Sequence, residues 1–209
     1  MLRPEIKAEI DKGKLAVREF IEGAATGDQE RMLASIDGIE DGCTELGGGW
    51  VCAMRSVSKL RSVPSVTKTC FLNYYVRYGD HLRQECSDLI LADALRVLLP
   101  MYRGSAKHLY RGESLHNRSR RTYGLSWTAS IEVARNHAMK GIARTAKGGS
   151  VVLETLAPKE AIICKVPRTQ DRYHEEEYIV DRRYLMAVKV TERFSEMHVN
   201  DMQLRREAK

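Results

Sequence analysis

Apolar residues recur among charges at roughly helical spacing from Glu5 to about Ala25, with Ile6, Ile10, Leu15, Val17 and Phe20 at the repeating positions. This pattern predicts a long first helix. A second, short helix is expected over Asp28 to Ile36. The pattern then fails at Asp41-Gly42-Cys43-Thr44-Glu45-Leu46-Gly47-Gly48-Gly49, a turn-rich stretch. Its glycines suit either a boundary near residues 37 to 50 or a tight loop against the main core. Helical spacing resumes at Thr67 and runs to about Leu99, as two helices split around Tyr78-Gly79-Asp80. In the second, Leu82, Cys86, Leu89, Ile90, Ala94, Val97 and Leu98 form a broad apolar face, and Pro100 ends it. Core packing accounts for that face, and no membrane role is needed.

Beyond Pro100 the period shortens from about 3.6 towards 2. Strands are expected over Ala106 to Arg111, Gly124 to Trp127, Gly149 to Leu156, Ala161 to Lys165, Glu176 to Val180 and Leu185 to Thr191. One helix, Ser130 to about Gly141, falls among them. The fold class read from this is α+β, with a helical N-terminal region over residues 1–100 and a strand-rich domain over 101–209. Strands and helices do not alternate regularly, which argues against a doubly wound parallel sheet. No Gly-x-Gly-x-x-Gly occurs, which removes the usual dinucleotide-binding fold as well.

Composition adds constraints rather than a function. With 43% hydrophobic and 30% charged residues in 209, the chain reads as an ordinary globular protein with one core, or one core and a helical subdomain. No run approaches the roughly 18 consecutive apolar residues of a bilayer span. The N-terminus lacks a signal-peptide core, so export by the general secretory route is not expected. Five cysteines without a Cys-x-x-Cys spacing fit a structural role in a reducing compartment. The cytoplasm is the expected location, whether of the producing cell or of a host. The net charge of +6 suits a phosphate-bearing partner without naming one. The six histidines have no metal-ligand spacing, and no metal is expected.

Four features follow one another in the second half. They are Leu109-Tyr110-Arg111-Gly112, Leu125-Ser126-Trp127-Thr128, the helix opening Ser130-Ile131-Glu132-Val133-Ala134, and Glu175-Glu176-Glu177-Tyr178-Ile179-Val180. Each alone is weak; their order, spacing and context combine. From roughly Lys107 to Phe194 the chain resembles the arginine–serine–glutamate class of mono-ADP-ribosyltransferases, and Tyr123-Gly124-Leu125-Ser126-Trp127-Thr128 is most similar to bacterial and phage-encoded members. The resemblance implies a split pair of small antiparallel sheets holding NAD between them, with NAD consumed as a substrate and nicotinamide released.

The chemistry asks for the same residue types. Breaking the nicotinamide–ribose bond leaves positive charge on the sugar, which a fixed carboxylate stabilises as it develops. Glu177 is the candidate, since it directly precedes an apolar strand segment, and the resemblance places it on the ribose. Arg111 offers a planar, permanent cation for phosphate and ribose oxygens. Gly112 allows close backbone approach to the nicotinamide amide. Met101-Tyr102-Arg103-Gly104 repeats the aromatic-Arg-Gly pattern and makes Arg103 a rival, but Arg111 follows a candidate strand. Ser126 would orient Glu177 or contact the ribose, and Thr128 completes Ser-x-Thr. On a strand Trp127 points the other way and reads as a core anchor. Tyr110 and Tyr123 are further candidates on the cofactor side, Tyr123 equally an ordinary turn aromatic.

Glu175 shares a face with Glu177 on an extended backbone. The resemblance implies that a glutamate there positions an arginine guanidinium or helps to deprotonate it. The expected partner is therefore an acceptor macromolecule, a host protein in preference to DNA or RNA. Tyr173 and His174 would sit in the acceptor-recognition turn or be plain loop residues. His137 reads as a structural residue of a packed helix. An NAD glycohydrolase and a non-catalytic basic binding module remain the alternative readings.

Overall fold

The computed structural model describes residues 3–40, 43–44, 47–140, 142–171 and 174–197, and the chain divides into two compact units, 1–101 and 102–209. In the first unit α1 (Pro4–Thr26) ends where Gly27 takes φ 87°, a left-handed conformation that glycine adopts at little cost. The Asp28 carboxylate accepts from the Arg31 N–H and opens α2 (Gln29–Ala34), which leads to α3 (Ile36–Glu40). Two short antiparallel strands, β1 (Cys43–Thr44) and β2 (Gly47–Gly48), precede α4 (Gly49–Val57). Then come α5 (Ser65–Glu85) and α6 (Asp88–Leu98).

Phe20, Met32, Trp50, Met54, Phe71, Leu72, Leu82 and Leu95 fill the core of this unit, with Phe20 meeting Trp50 edge to face at 5.6 Å. Three expectations need correction. The helix does not split at Tyr78-Gly79-Asp80: α5 runs through it, and the break falls at Cys86-Ser87, where the Ser87 hydroxyl caps α6. A lone glycine costs a helix about 1 kcal/mol, which the packing of Phe71, Leu72, Tyr75 and Leu82 outweighs. Ile6, Leu15 and Leu89 lie on exposed faces rather than in the core. Finally, α4 occupies a stretch for which no element was expected.

The second unit is built on a six-stranded antiparallel sheet in the order β6-β7-β4-β3-β5-β8. Its strands are β3 (Lys107–Ser114), β4 (Ser126–Thr128), β5 (Ser150–Ala157), β6 (Ile162–Lys165), β7 (Glu177–Val180) and β8 (Lys189–Phe194). Among the described residues two α-helices complete it, α7 (Leu115–Arg120) and α8 (Ile131–Lys140), with three short 3-10 turns. The α+β architecture of a helical N-terminal region and an antiparallel sheet thus matches the pattern read from the sequence. The unpredicted α7 is capped by Ser114, whose hydroxyl accepts from the Asn117 N–H.

The sheet is unevenly knitted. β3 and β5 pair along their whole length from Lys107↔Ala157 to Ser114↔Ser150, whereas β3 and β4 share the single register pair Tyr110↔Thr128. Two three-stranded halves, β6-β7-β4 and β3-β5-β8, meet at that one position. One face carries the core of Leu109, Tyr123, Trp127, Val151, Leu153, Tyr178 and Val180. On the other, Ala134 and Ala138 of α8 cover Val152, with Tyr110 and Phe194 beside them. Among the described residues no helix is long and apolar enough to cross a membrane.

Candidate functional site

The site forms where β3 and β4 part. Side chains of β3 alternate, so Leu109 enters the core while Tyr110 lies against α8, and Arg111 and Glu113 return to the side of Leu109. The Arg111 side chain is 16% exposed; its Nε–H donates to Glu113 Oε2 at 2.9 Å and its Nη1–H to the backbone carbonyl of Ser126. A charged side chain therefore spans the place where main-chain pairing between β3 and β4 has stopped.

Glu113 is the residue that sequence reading missed. Only 3% exposed, it accepts from Arg111, from the Ser114 and Gly124 N–H groups and from the Asn117 amide. Burial alone would raise its pKa. The Arg111 charge, with the hydrogen bonds of Asn117, Arg111 and Ser114, outweighs that and holds the carboxyl below its ordinary range. The available signal was Arg-x-Glu on one strand, which puts both side chains on one face.

Across the seam, Thr128 pairs with Glu177 and Ser126 with Ile179, so Ser126, Thr128 and Glu177 share a face. The Ser126 hydroxyl donates to Glu177 Oε1 at 2.5 Å. Glu177 is half-buried, and burial raises its carboxyl above the usual range; Glu175 and Asp171 add to the shift, while Ser126 and Arg111 oppose it. Behind it on β6, burial and the Glu177 charge push the Cys164 thiol up to about 12, leaving it a neutral thiol rather than a nucleophile.

The turn before Glu177 is held at several points. The Asp171 carboxylate, 7% exposed, accepts from the N–H groups of Glu175 at 2.9 Å and Glu176 at 2.7 Å. The Thr128 hydroxyl donates to the Glu175 carbonyl and accepts from the Ser130 N–H. His174 and Glu176 have φ of 54° and 49°, a region that non-glycine residues rarely occupy. Asp171 supplies acceptors that hold the turn in this conformation. On the other side of the turn, His137 of α8 lies 3.1 Å from Glu175 Oε1.

The remaining candidates divide. Tyr123, considered for the cofactor side, is a core residue: 5% exposed, its ring sits edge-on to Trp127 at 6.2 Å and its carbonyl accepts from Arg182. Trp127 is buried at its side, donating to the Gly124 carbonyl. Tyr110 packs beside α8. Gly112 also faces that helix, since a Cβ there would lie 2.5 Å from both the Ala134 carbonyl oxygen and the Ala138 nitrogen. Arg103 is exposed on the connector ahead of β3. His174 is exposed, and Tyr173 lies outside the described residues. Among the described residues no group of three or more His, Cys, Asp or Glu side chains could hold a metal ion.

The arrangement sets a half-buried carboxylate, oriented by a hydroxyl, beside a fixed guanidinium, with a second carboxylate two residues upstream. Such a site can meet an anionic group with Arg111 and stabilise developing positive charge with Glu177. Comparisons with protein-family models, with curated proteins and with solved structures find no match to this chain.

Proposed function

We propose that residues 102–209 form a mono-ADP-ribosyltransferase that transfers ADP-ribose from NAD to an arginine side chain of a protein and releases nicotinamide. The observation that carries this reading is the Ser126 hydroxyl on the Glu177 carboxylate at 2.5 Å, with Arg111 donating to the carbonyl of the same serine. Three residues selected for one chemistry, far apart in the chain, converge. The two three-stranded halves of the sheet, joined at Tyr110↔Thr128, also suit the split-sheet architecture of that class.

In this mechanism Arg111 binds the phosphate and ribose oxygens of NAD. The ribose–nicotinamide bond breaks with its electron pair going to the nicotinamide nitrogen, and Glu177 stabilises the resulting oxocarbenium charge. A guanidine nitrogen of the acceptor then bonds to the ribose carbon and loses a proton, for which Glu175 is the nearby carboxylate base. Ser126 keeps Glu177 pointed at the ribose. Thr128 holds the turn that carries Glu175.

Purified protein incubated with NAD is expected to release nicotinamide, and Glu177→Gln to reduce that release by at least about 100-fold with NAD affinity little changed, because the lost interaction belongs to the transition state. Undiminished turnover in Glu177→Gln removes the residue from this role.

A further inference from the structure

We infer that His137 is a positioning residue for the acceptor step, holding the Glu175 carboxylate where an incoming guanidinium must meet it; this rests on the transferase reading above. The backbone of Glu175 is already fixed, its N–H by Asp171 and its carbonyl by Thr128. Those bonds leave the side-chain torsions undetermined. His137 Nε2–H, donating to Glu175 Oε1 at 3.1 Å, constrains them.

The helix that carries His137 is itself set against the sheet. At Gly112 any side chain would strike the Ala134 carbonyl and the Ala138 nitrogen, and a Cβ there would come within 2.9 Å of the His137 Cβ. The absence of that carbon lets α8 approach β3 closely at the turn bearing His137. The Ser150 hydroxyl donates to the Ala138 carbonyl, and Arg135 makes a two-pronged contact with Glu192 of β8, so the helix is anchored to β5 and β8 as well. The position of the imidazole is thereby inherited from the sheet.

A stabilising role does not explain the pair. The His137 and Glu175 side chains are 56% and 34% exposed, and ion pairs at such exposure contribute little to folding. Glu177 takes its orientation from Ser126 and not from His137. Substitution of His137 should therefore separate transfer from cleavage.

The experiment follows two products from labelled NAD: nicotinamide, which counts every cleavage, and ADP-ribosylated guanidine, with agmatine and host-lysate protein as acceptors. His137→Ala is expected to keep nicotinamide release within about twofold of wild type while the transferred fraction falls about tenfold. His137→Asn and His137→Gln retain an N–H donor, and one of them should recover part of that fraction. Circular dichroism and thermal melting confirm that each variant is folded. An unchanged transferred fraction in folded His137→Ala overturns the inference and leaves the transferase reading standing. Equal losses in both products overturn it as well, since they place His137 in the cleavage step or in general stability. Wild-type protein that cleaves NAD but modifies neither acceptor also overturns it, leaving Glu175 no transfer to serve. Wild-type protein that releases no nicotinamide removes the transferase reading and the inference with it.

Discussion

Glu113 fixes Arg111 from two positions further along the same strand, taking its Nε–H at 2.9 Å while three other donors saturate the buried carboxylate. The cation at the seam is thus aimed by a neighbour, and its direction does not depend on a substrate being present.

Removal of that neighbour should be costly. Glu113→Ala leaves the Nε–H of the half-buried Arg111 and the Gly124 N–H without their acceptor, and the expected loss is about 2–4 kcal/mol, read by urea denaturation. Because the folded-state pKa of Glu113 is depressed, its stabilising contribution is present above the unfolded value and is lost as pH falls through the folded one. Wild type should therefore lose more stability on acidification than Glu113→Gln.

Glu177 behaves oppositely. Its folded-state pKa is raised, so ionisation opposes folding: its contribution is most favourable below the unfolded pKa and declines as pH rises through the folded one. At neutral pH, Glu177→Gln should melt at a temperature equal to or above wild type, an advantage that disappears in acid. Nicotinamide release needs the ionised form, so its acid limb should lie above the ordinary carboxylate range. A pH series of melting and turnover tests both signs.

The duplicated aromatic-Arg-Gly pattern gives a direct contrast. Arg111→Ala should weaken NAD binding roughly 10- to 100-fold, the scale of a lost charge-assisted hydrogen bond. Arg103, exposed on its connector, should be replaceable by alanine with little change. Calorimetric titration of both folded variants decides, and a larger loss for Arg103→Ala would mean that the cofactor lies elsewhere.

For Glu175→Gln the expected loss is selective. Transfer to a guanidine should fall more than hydrolysis of NAD, since an arginine with a pKa above about 12 needs help to lose a proton whereas cleavage relies on Glu177. Equal proportional losses in the two products would reject this division. Mass spectrometry of labelled lysate protein locates the modified residue, and label on a nucleobase or a non-arginine side chain would reject the acceptor class.

Much of this site was legible because its determinants are local. Ser-x-Thr on a strand places its side chains by alternation alone, and the strands are found within a few residues of their expected bounds. Glu175 does not follow that rule, because β7 starts only at Glu177 and Glu176 before it takes φ 49° rather than an extended backbone. What was missed depends on distant partners. Nothing in the sequence near His137 indicates that α8 would bring it to Glu175, because that contact follows from a close helix–strand approach at Gly112. Gly112, expected to let a ligand approach the backbone, also makes room for a helix. Tyr123 was misplaced for a related reason: a tyrosine beside a glycine turn reads the same whether its ring meets a cofactor or Trp127.

The single register pair between β3 and β4 has a mechanical meaning. Elsewhere the sheet resists deformation through its ladders of main-chain hydrogen bonds, but at the seam the bridge described at Arg111 is a side chain, itself tied to Glu113. A side-chain tie can be loosened when its donor turns to a new acceptor, while a backbone rung cannot be exchanged so simply. A phosphate that draws on Arg111 would then compete with the Ser126 carbonyl, coupling the arrival of a substrate to the compliance of the fold at its midline.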